Sequence, residues 1–174
     1  MSLSVRPGRL ADQRAVAALR VVTWRSAYAG IVPAAYLAAM DPVALGERRV
    51  ARYAVRPPSD VDFVAERGGE LVGFAHGGRY RDDDGPADGA GEVYALYVTP
   101  AAQGTGAGTA LLEATTAALR GAGLDPVLLW VLADNHRARR FYESHGFAAD
   151  GTTHTWEAGD AALPEVRYRA IATR

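Results

Sequence analysis

Three alternate glycines, Gly104, Gly106 and Gly108, form the stretch of the sequence best suited to bind an anion. An apolar run at 93–98, rich in β-branched and aromatic residues, precedes them and predicts a buried strand that Pro100 ends. A helical pattern follows directly. The unpaired amides of a helix's first turn point outward, and the helix dipole favours negative charge there. The stretch therefore predicts an anion site between a strand and a helix.

Two common phosphate-binding motifs do not fit these glycines. A P-loop needs Gly-Lys followed by Ser or Thr, and the chain contains no lysine, so Walker-type nucleoside triphosphatases are excluded. A dinucleotide-binding motif needs a third glycine three residues after the second. Thr109 occupies that position, and the motif lies in mid-chain behind a predicted hairpin. The anion must therefore belong to another kind of ligand.

The composition indicates one ordinary globular domain. The chain has 174 residues, is 49% hydrophobic and 22% charged, and carries a net charge of −1. We therefore expect a single domain over 1–174, with neither nucleic acid nor membrane as a partner. The absence of cysteine excludes disulfides, a thiol nucleophile and thiolate metal ligands. The histidines lack metal-ligand spacing, so no metal site is predicted, and the lack of an apolar leader favours a cytoplasmic location.

Hydrophobic periodicity and turn residues predict a mixed α/β sheet in one layered domain. The predicted order is strand, helices, three antiparallel strands, helix, strand, helix and two closing strands. The predicted strands are 3–6, 62–66, 71–79, 93–98, 127–132, one from Phe147 onward and one at 165–171. The predicted helices run from Asp12 toward Trp24, after Pro33, from Asp41 to about Arg56, from about Gly106 to Arg120, and over 136–145. Asp12 is predicted to cap the first helix, Asp134 and Asn135 both qualify as cap of the last, and 81–91 is predicted to be a mobile loop.

Two motifs resemble those of a known family. Gln103-x-x-Gly106-x-Gly108 resembles the Gln/Arg-x-x-Gly-x-Gly/Ala signature of the GNAT superfamily, the acetyl-CoA-dependent N-acyltransferases. The segment 135–147 is similar to that superfamily's Asn…Ala…Phe-Tyr-Glu…Gly-Phe segment at the matching spacing, and 24–33 is similar to the front end of many bacterial members. The resemblance covers nearly the whole chain. It implies the GNAT fold: a central mixed, mostly antiparallel sheet with a splayed parallel strand pair and flanking helices.

The resemblance implies acetyl-CoA as cosubstrate and names the residues that bind its pyrophosphate. They form one turn, called the glycine turn below: Gln103, Gly104, Thr105, Gly106, Ala107, Gly108 and Thr109. Glycines are expected there because a Cβ would hinder close approach of the backbone to phosphate. Arg137 and Arg139 are further candidates for contact with the nucleotide phosphates.

The resemblance also implies a gap in the sheet for the pantetheine arm of the cofactor. Strand 93–98 would splay from the parallel strand 127–132, and the arm would pair with strand backbone as an added strand does. The backbone groups expected to face the cofactor are those of Leu96, Tyr97 and Val98. Asn135, at the end of the far strand, would reach the pantetheine with its amide, or it simply caps the last helix.

The chemistry implied is attack of an amine on a thioester in a ternary complex, without an acyl-enzyme. Tyr142 occupies the position of the family's usual acid and would protonate the leaving thiolate; the alternative is a packing role alone. An alkylamine is mostly protonated at neutral pH, so a base must remove a proton. Some members carry a glutamate base at the position of Glu92, although a charged residue at the start of a strand is often merely solvated.

The acceptor is not determined by the sequence. A small-molecule amine and a protein N-terminal amine both remain open, and the early helices that carry Trp24 and Tyr28 are expected to contribute to its site. Members of the superfamily often dimerise, which suggests a homodimer. A second class of function is also open: a catalytically silent acyl-CoA-binding domain that senses or regulates.

Overall fold

The computed structural model describes residues 2–81 and 89–171. Within these residues the chain forms seven strands: β1 (Leu3–Pro7), β2 (Val61–Arg67), β3 (Glu70–Arg79), β4 (Gly91–Val98), β5 (Val127–Leu132), β6 (Phe147–Ala158) and β7 (Ala161–Ala170). The α-helices are α1 (Gln13–Ala27), α2 (Ala34–Ala38), α3 (Pro42–Ala54), α4 (Ala107–Gly121) and α5 (His136–Ser144). Most of the loop predicted to be mobile, 82–88, lies outside the described residues.

All the strands belong to one sheet in the order β1-β2-β3-β4-β5-β7-β6. Every neighbouring pair is antiparallel except β4 and β5, which run parallel. This confirms the predicted mixed, mostly antiparallel sheet with one parallel pair. The parallel pair lies at the centre, where helices cover both faces, as its nearly continuous apolar sequences require.

Helices cover the first half of the sheet on both sides. On one side Leu111 of α4 is fully buried against Ala65 and Ala75 of β2 and β3. On the other side Val16 of α1 packs with Phe74 of β3 in a second buried cluster. We refer to these as the α4 side and the α1 side of the sheet. The alternation of small and large residues along β3 allows both helices to pack closely.

The second half of the sheet follows the same arrangement. On the α4 side, Tyr142 of α5 and Tyr168 of β7 lie in one cluster with Leu129 of β5. On the α1 side, Trp24 of α1 packs with Leu132 of β5 in an aromatic cluster that also includes Trp156 of β6. The two clusters enclose the end of β5 from opposite sides, and the cleft described below lies between them.

Two local expectations were wrong. Asp12 occupies the N-cap position of α1, which begins at Gln13, but its side chain forms no capping hydrogen bond; the carboxylate accepts instead from the Arg9 amide (2.7 Å) and the Arg6 guanidinium (2.7 Å). The Arg6 side chain on β1 draws the carboxylate away from the helix. The closing hairpin is also longer than predicted, because β7 begins at Ala161 rather than Glu165 and β6 extends to Ala158.

Candidate active site

A gap between β4 and β5 opens the centre of the sheet. Within the described residues the two strands pair only at Gly91 with Val127 and at Glu92 with Leu128, and then separate. This confirms the predicted splay. A cleft of about 800 Å³ runs through the gap, from the glycine turn on one side of the molecule to α1 and α3 on the other. The backbone of β4 beyond Glu92 is therefore open to a ligand on its β5 edge.

A β-bulge in β4 turns the strand at the point where the gap opens. His76 of β3 pairs with Ala95, but Gly77 pairs with Val93, so Tyr94 is an extra residue without a partner on β3. Bulges bend a strand, increase its twist and are frequent beside active sites. The nearly uniform apolar sequence of 93–98 contains no signal for the bulge, and the sequence analysis did not predict it.

The glycine turn leaves amides open at the N-terminus of α4. Gly104 and Gly106 have φ values of 75° and 89°, and a Cβ at either position would meet no heavy atom within 4 Å. Their requirement for glycine is thus the left-handed backbone rather than space. The Ala110 amide bonds to the Gly106 carbonyl, so the amides of 107–109 precede the first intrahelical bond and lie at the positive end of the helix.

Gly108 differs from the other two glycines. It lies within α4, and a Cβ there would come 3.3 Å from the Cζ of Phe141. Its small size lets α5 pack against the first turn of α4. A glycine at 108 was expected to allow close approach to the backbone. It does so, but the group that approaches is the Phe141 ring of the protein itself.

Two side chains of the glycine turn form hydrogen bonds to backbone carbonyls that precede it. The Gln103 amide donates to the Val98 carbonyl (3.1 Å), and the Thr105 hydroxyl donates to the Ala102 carbonyl (2.6 Å). The first of these bonds means that the Val98 carbonyl, expected to be free, already accepts a hydrogen bond from the protein. Gln103 and Gly104 line the cleft.

A histidine that the sequence analysis left unassigned ties the turn to α5. His145 Nδ1 lies 2.7 Å from the Phe141 carbonyl and must donate to it, so in the neutral ring Nε2 is an acceptor. The Thr109 hydroxyl lies 2.9 Å from Nε2 and donates to it. This chain of bonds fixes the Thr109 side chain at the helix N-terminus, where it lines the cleft.

Asn135, not Asp134, caps α5. Its side-chain oxygen accepts from the Ala138 amide (3.1 Å), which leaves the side-chain NH₂ group available where Asn135 lines the cleft. Arg137 also lines the cleft. Arg139 does not, because its guanidinium donates to the Tyr168 hydroxyl (3.1 Å) and the Ala133 carbonyl (3.0 Å).

Tyr142 lies in the wall of the cleft beneath the splayed strands. Its side chain is buried, and burial, followed by the neighbouring Tyr97, raises its pKa above the ordinary phenol value. The hydroxyl groups of Tyr97 and Tyr28 are 3.5 Å apart, and burial likewise raises the pKa of Tyr28. Tyr142 therefore remains a neutral hydrogen-bond donor throughout the physiological pH range.

Trp24 and Tyr28 form part of an aromatic wall on the α1 side. Their rings meet edge to face with centroids 4.8 Å apart, and Trp24 also contacts Trp156 of β6 at 5.7 Å. Tyr97 of β4 completes the group at 6.1 Å from Trp24. Both predicted acceptor residues line the cleft and are also part of the core.

Glu92 is not a solvated residue at a strand entrance. It is 3% exposed, and its carboxylate forms an ion pair with the Arg81 guanidinium at 2.8 Å. The Arg81 backbone amide lies 3.3 Å from the other carboxylate oxygen. The structure places Glu92 in the lining of the cleft with its charge paired.

A second acidic residue of the cleft was missed. Glu165 of β7 forms a 2.7 Å ion pair with His154 of β6, and His154 packs on Trp130 with ring centroids 4.1 Å apart. Burial raises the pKa of Glu165; His154 opposes this, and the negative charge of Glu92 adds to it. The two carboxylates therefore act on one another across the cleft.

The described residues contain no cluster of three metal-ligating side chains, and no helix among them is long and apolar enough to cross a membrane.

The fold has close counterparts among solved structures. A structure described as a putative phosphinothricin N-acetyltransferase superposes with a TM-score of 0.75 at 22% identity, covering 99% of this chain and all of its own. PaiA N-acetyltransferase from Thermoplasma acidophilum, solved with coenzyme A, superposes with a TM-score of 0.72 at 19% identity, covering 95% of this chain and 98% of its own. At these identities the likeness establishes the fold.

Sequence relatives are closer over part of the chain. A mycothiol acetyltransferase of Thermobispora bispora is 47% identical over 85 residues, 49% of this chain and 29% of the relative. One of Acidothermus cellulolyticus is 43% identical over 112 residues, 59% of this chain and 34% of the relative. The chain thus spans about a third of the length of these relatives. The model of the acetyltransferase (GNAT) family matches residues 22–147, most of the chain, so this protein belongs to that family, whose cosubstrate is acetyl-CoA.

Proposed function

We propose that this chain is an N-acetyltransferase that transfers the acetyl group of acetyl-CoA to a primary amine, the acceptor, in a ternary complex. The observation that carries this proposal is the gap between β4 and β5. One continuous cleft runs from the open amides of the glycine turn, past Tyr142, to the buried carboxylate of Glu92. A cofactor and an acceptor can therefore reach the same point from opposite sides of the sheet.

The residues of the cleft fit acetyl-CoA. The amides of Gly108 and Thr109, residues that line the cleft at the positive end of α4, suit a pyrophosphate. The unpaired edge of β4 over Leu96 and Tyr97 suits the amide groups of pantetheine, which hydrogen-bond as a peptide strand does. The side-chain NH₂ of Asn135 offers a further donor from the β5 side. When bound, acetyl-CoA supplies a thioester carbonyl for the amine to attack and a thiolate that leaves.

Two residues of the chain move or hold protons in this scheme. Glu92 accepts a proton from the ammonium form of the acceptor, directly or through water, so that a neutral nitrogen forms the new C–N bond. Tyr142 donates a hydrogen bond to the sulfur as the C–S bond breaks, and the nitrogen, cationic once the C–N bond has formed, releases its extra proton to the departing thiolate directly or through water. Because burial raises its pKa, the phenol is a weaker acid than free tyrosine, and we assign it stabilisation of the thiolate by hydrogen bonding ahead of complete proton transfer.

The acceptor enters from the α1 side, where Trp24 and Tyr28 form an apolar wall. The similarity to mycothiol acetyltransferases makes their acceptor one member of the panel to be tested, alongside small amines, amino acids and peptides with a free N-terminus. A homodimer is compatible with this scheme, but neither end of the cleft requires a second copy of the chain.

The test is release of free thiol from acetyl-CoA with that panel. We expect at least one amine to be acetylated, and Tyr142→Phe to lower kcat by about a hundredfold or more while acetyl-CoA affinity, measured by calorimetry, changes less than about threefold. Tyr53→Phe is the matched control, because it removes a phenol hydroxyl that donates to Gly8 (2.7 Å) outside the cleft. Binding of acetyl-CoA with no turnover of any amine would favour the silent acyl-CoA-binding domain instead.

A further inference from the structure

Three arginines meet at the α1 end of the cleft. Arg20 comes from α1, and Arg49 and Arg52 come from successive turns of α3; all three line the cleft. Their positive charges act on one another, since Arg20 and Arg52 both lower the pKa of Arg49, after the larger effect of its burial, to about 10. Like charges gathered in a partly buried place are costly unless an anion joins them.

The acidic side chains at this end do not balance the arginines. Asp62 pairs with Arg49 at 3.2 Å and also faces His76 at 3.4 Å. Glu92 is paired with Arg81. Neither Arg20 nor Arg52 has an acidic partner within residues 2–81 and 89–171. A net positive charge therefore faces the cleft beside the proposed base.

Unpartnered donors accompany this charge on α1. In the part of the chain that the structure describes, Arg20 Nε, Thr23 Oγ1 and Trp24 Nε1 are buried without a hydrogen-bond partner. Thr23 and Trp24 are 2% and 8% exposed, and both line the cleft. The guanidinium carbon of Arg20 lies 4.7 Å from the centre of the Trp24 ring, in a cation–π contact. Most buried polar groups in proteins are hydrogen-bonded, so a group of orphaned donors indicates a missing acceptor.

We propose that Arg20, Arg49 and Arg52 form a subsite for an anionic group carried by the acceptor itself. The acceptor would then be an amine with a carboxylate or phosphate, such as an amino acid or an aminoalkyl phosphate. This deepens the proposed function and rests on it. Guanidinium groups bind both anions through paired N–H donors, and polycationic amines are disfavoured by the same charges.

Neighbouring side chains connect the subsite to the proposed base. The positive charge of Arg52 acts on Tyr94, whose ring lies under the Arg81 guanidinium at 3.9 Å. Arg81 in turn holds Glu92. The arginines and the proposed base therefore line the same cleft, so one acceptor molecule can reach both.

The experiment compares matched acceptors and matched variants. Each amino acid is assayed beside its primary amide, and O-phosphoethanolamine beside ethanolamine; the two arms distinguish a carboxylate from a phosphate. We expect kcat/KM for one anionic acceptor to exceed that for its neutral partner at least tenfold. Arg20→Gln should lower this ratio at least tenfold, and Arg20→Lys should restore part of it. Arg14→Gln should not alter it, because Arg14 lies on the same helix but forms an exposed ion pair with Glu47 outside the cleft.

A second readout does not depend on turnover. N-acetylated amino acids and their amides are titrated by calorimetry into protein loaded with CoA. Tighter binding of an acid than of its amide, weakened by Arg20→Gln and not by Arg14→Gln, supports the subsite even if catalysis fails. Equal turnover of both kinds of anionic acceptor and their neutral partners overturns the subsite, as does turnover of neutral amines alone, and the second result leaves the acetyltransferase proposal standing.

Discussion

Replacing Gly106 by alanine tests whether the glycine turn binds acetyl-CoA through its backbone conformation. Gly106 has a φ of 89°, and a Cβ there would meet no heavy atom within 4 Å. The penalty is therefore that of the left-handed backbone alone, about 1–2 kcal/mol for an L-residue. The free variant can relieve it by relaxing the turn, which rotates the amides away from the cleft. Restoring the turn on binding then requires that free energy, so we expect the Kd for acetyl-CoA, measured by calorimetry, to rise about five- to thirtyfold.

Gly151→Ala is the matched control for this substitution. Gly151 has a φ of 90°, a Cβ there would also meet no heavy atom within 4 Å, and the residue lies on β6 outside the lining of the cleft. The same penalty should appear there wholly as lost stability, a decrease of about 2–8 °C in the thermal midpoint, with the Kd for acetyl-CoA unchanged. If Gly106→Ala loses stability like the control but binds acetyl-CoA as tightly as the wild type, the turn does not bind the cofactor by its backbone.

Two further substitutions test the electrostatics of β7. Burial raises the pKa of Glu165, so its ionised form destabilises the fold as pH rises through that pKa; Glu165→Gln should gain thermal stability relative to wild type, more at pH 8 than at pH 5, and a greater loss at pH 8 would contradict this. Tyr168→Phe removes a hydroxyl that donates to Glu143 (2.6 Å) and accepts from Arg139 (3.1 Å). Urea denaturation should show a loss of about 1–3 kcal/mol; a loss below about 0.5 kcal/mol would mean that water replaces these bonds.

The order of elements was predictable because each one carries its own local signal. The glycine turn marks the start of α4, the apolar run 127–132 marks a strand covered on both faces, and Asn135 marks the start of α5. The bulge at Tyr94 has no such signal. Every residue of 93–98 is apolar or aromatic, so the sequence reads equally well in either register, and only packing against β3 and two helices determines which side chain points where.

The pairing of Glu165 with His154 was within reach of the sequence. Gly159-Asp160 is a turn signal in the sequence, and a two-residue turn places Ala158 opposite Ala161. Counting back along both strands then sets His154 opposite Glu165, as the structure shows. The predicted strand 165–171 begins at Glu165 and left 161–164 out of the hairpin, so the pair was not predicted. The arginine cluster is a different case, since α1 and α3 are brought together only by the tertiary fold.

The bulge at Tyr94 explains how the Glu92 carboxylate and the Tyr97 hydroxyl come to lie on the same side of the sheet. Glu92 lies on the α1 side, since its neighbours Gly91 and Val93 face α4. Tyr97, five residues on, would face the opposite side in a regular strand, because side chains alternate. It nevertheless packs on the α1 side with Trp24 and Phe74. The extra residue at Tyr94 reverses the alternation once, so the α1 side receives both Glu92 and Tyr97, and Leu96 and Val98 pack toward α4. A single inserted residue thus places the Glu92 carboxylate and the Tyr97 hydroxyl on the same side of β4.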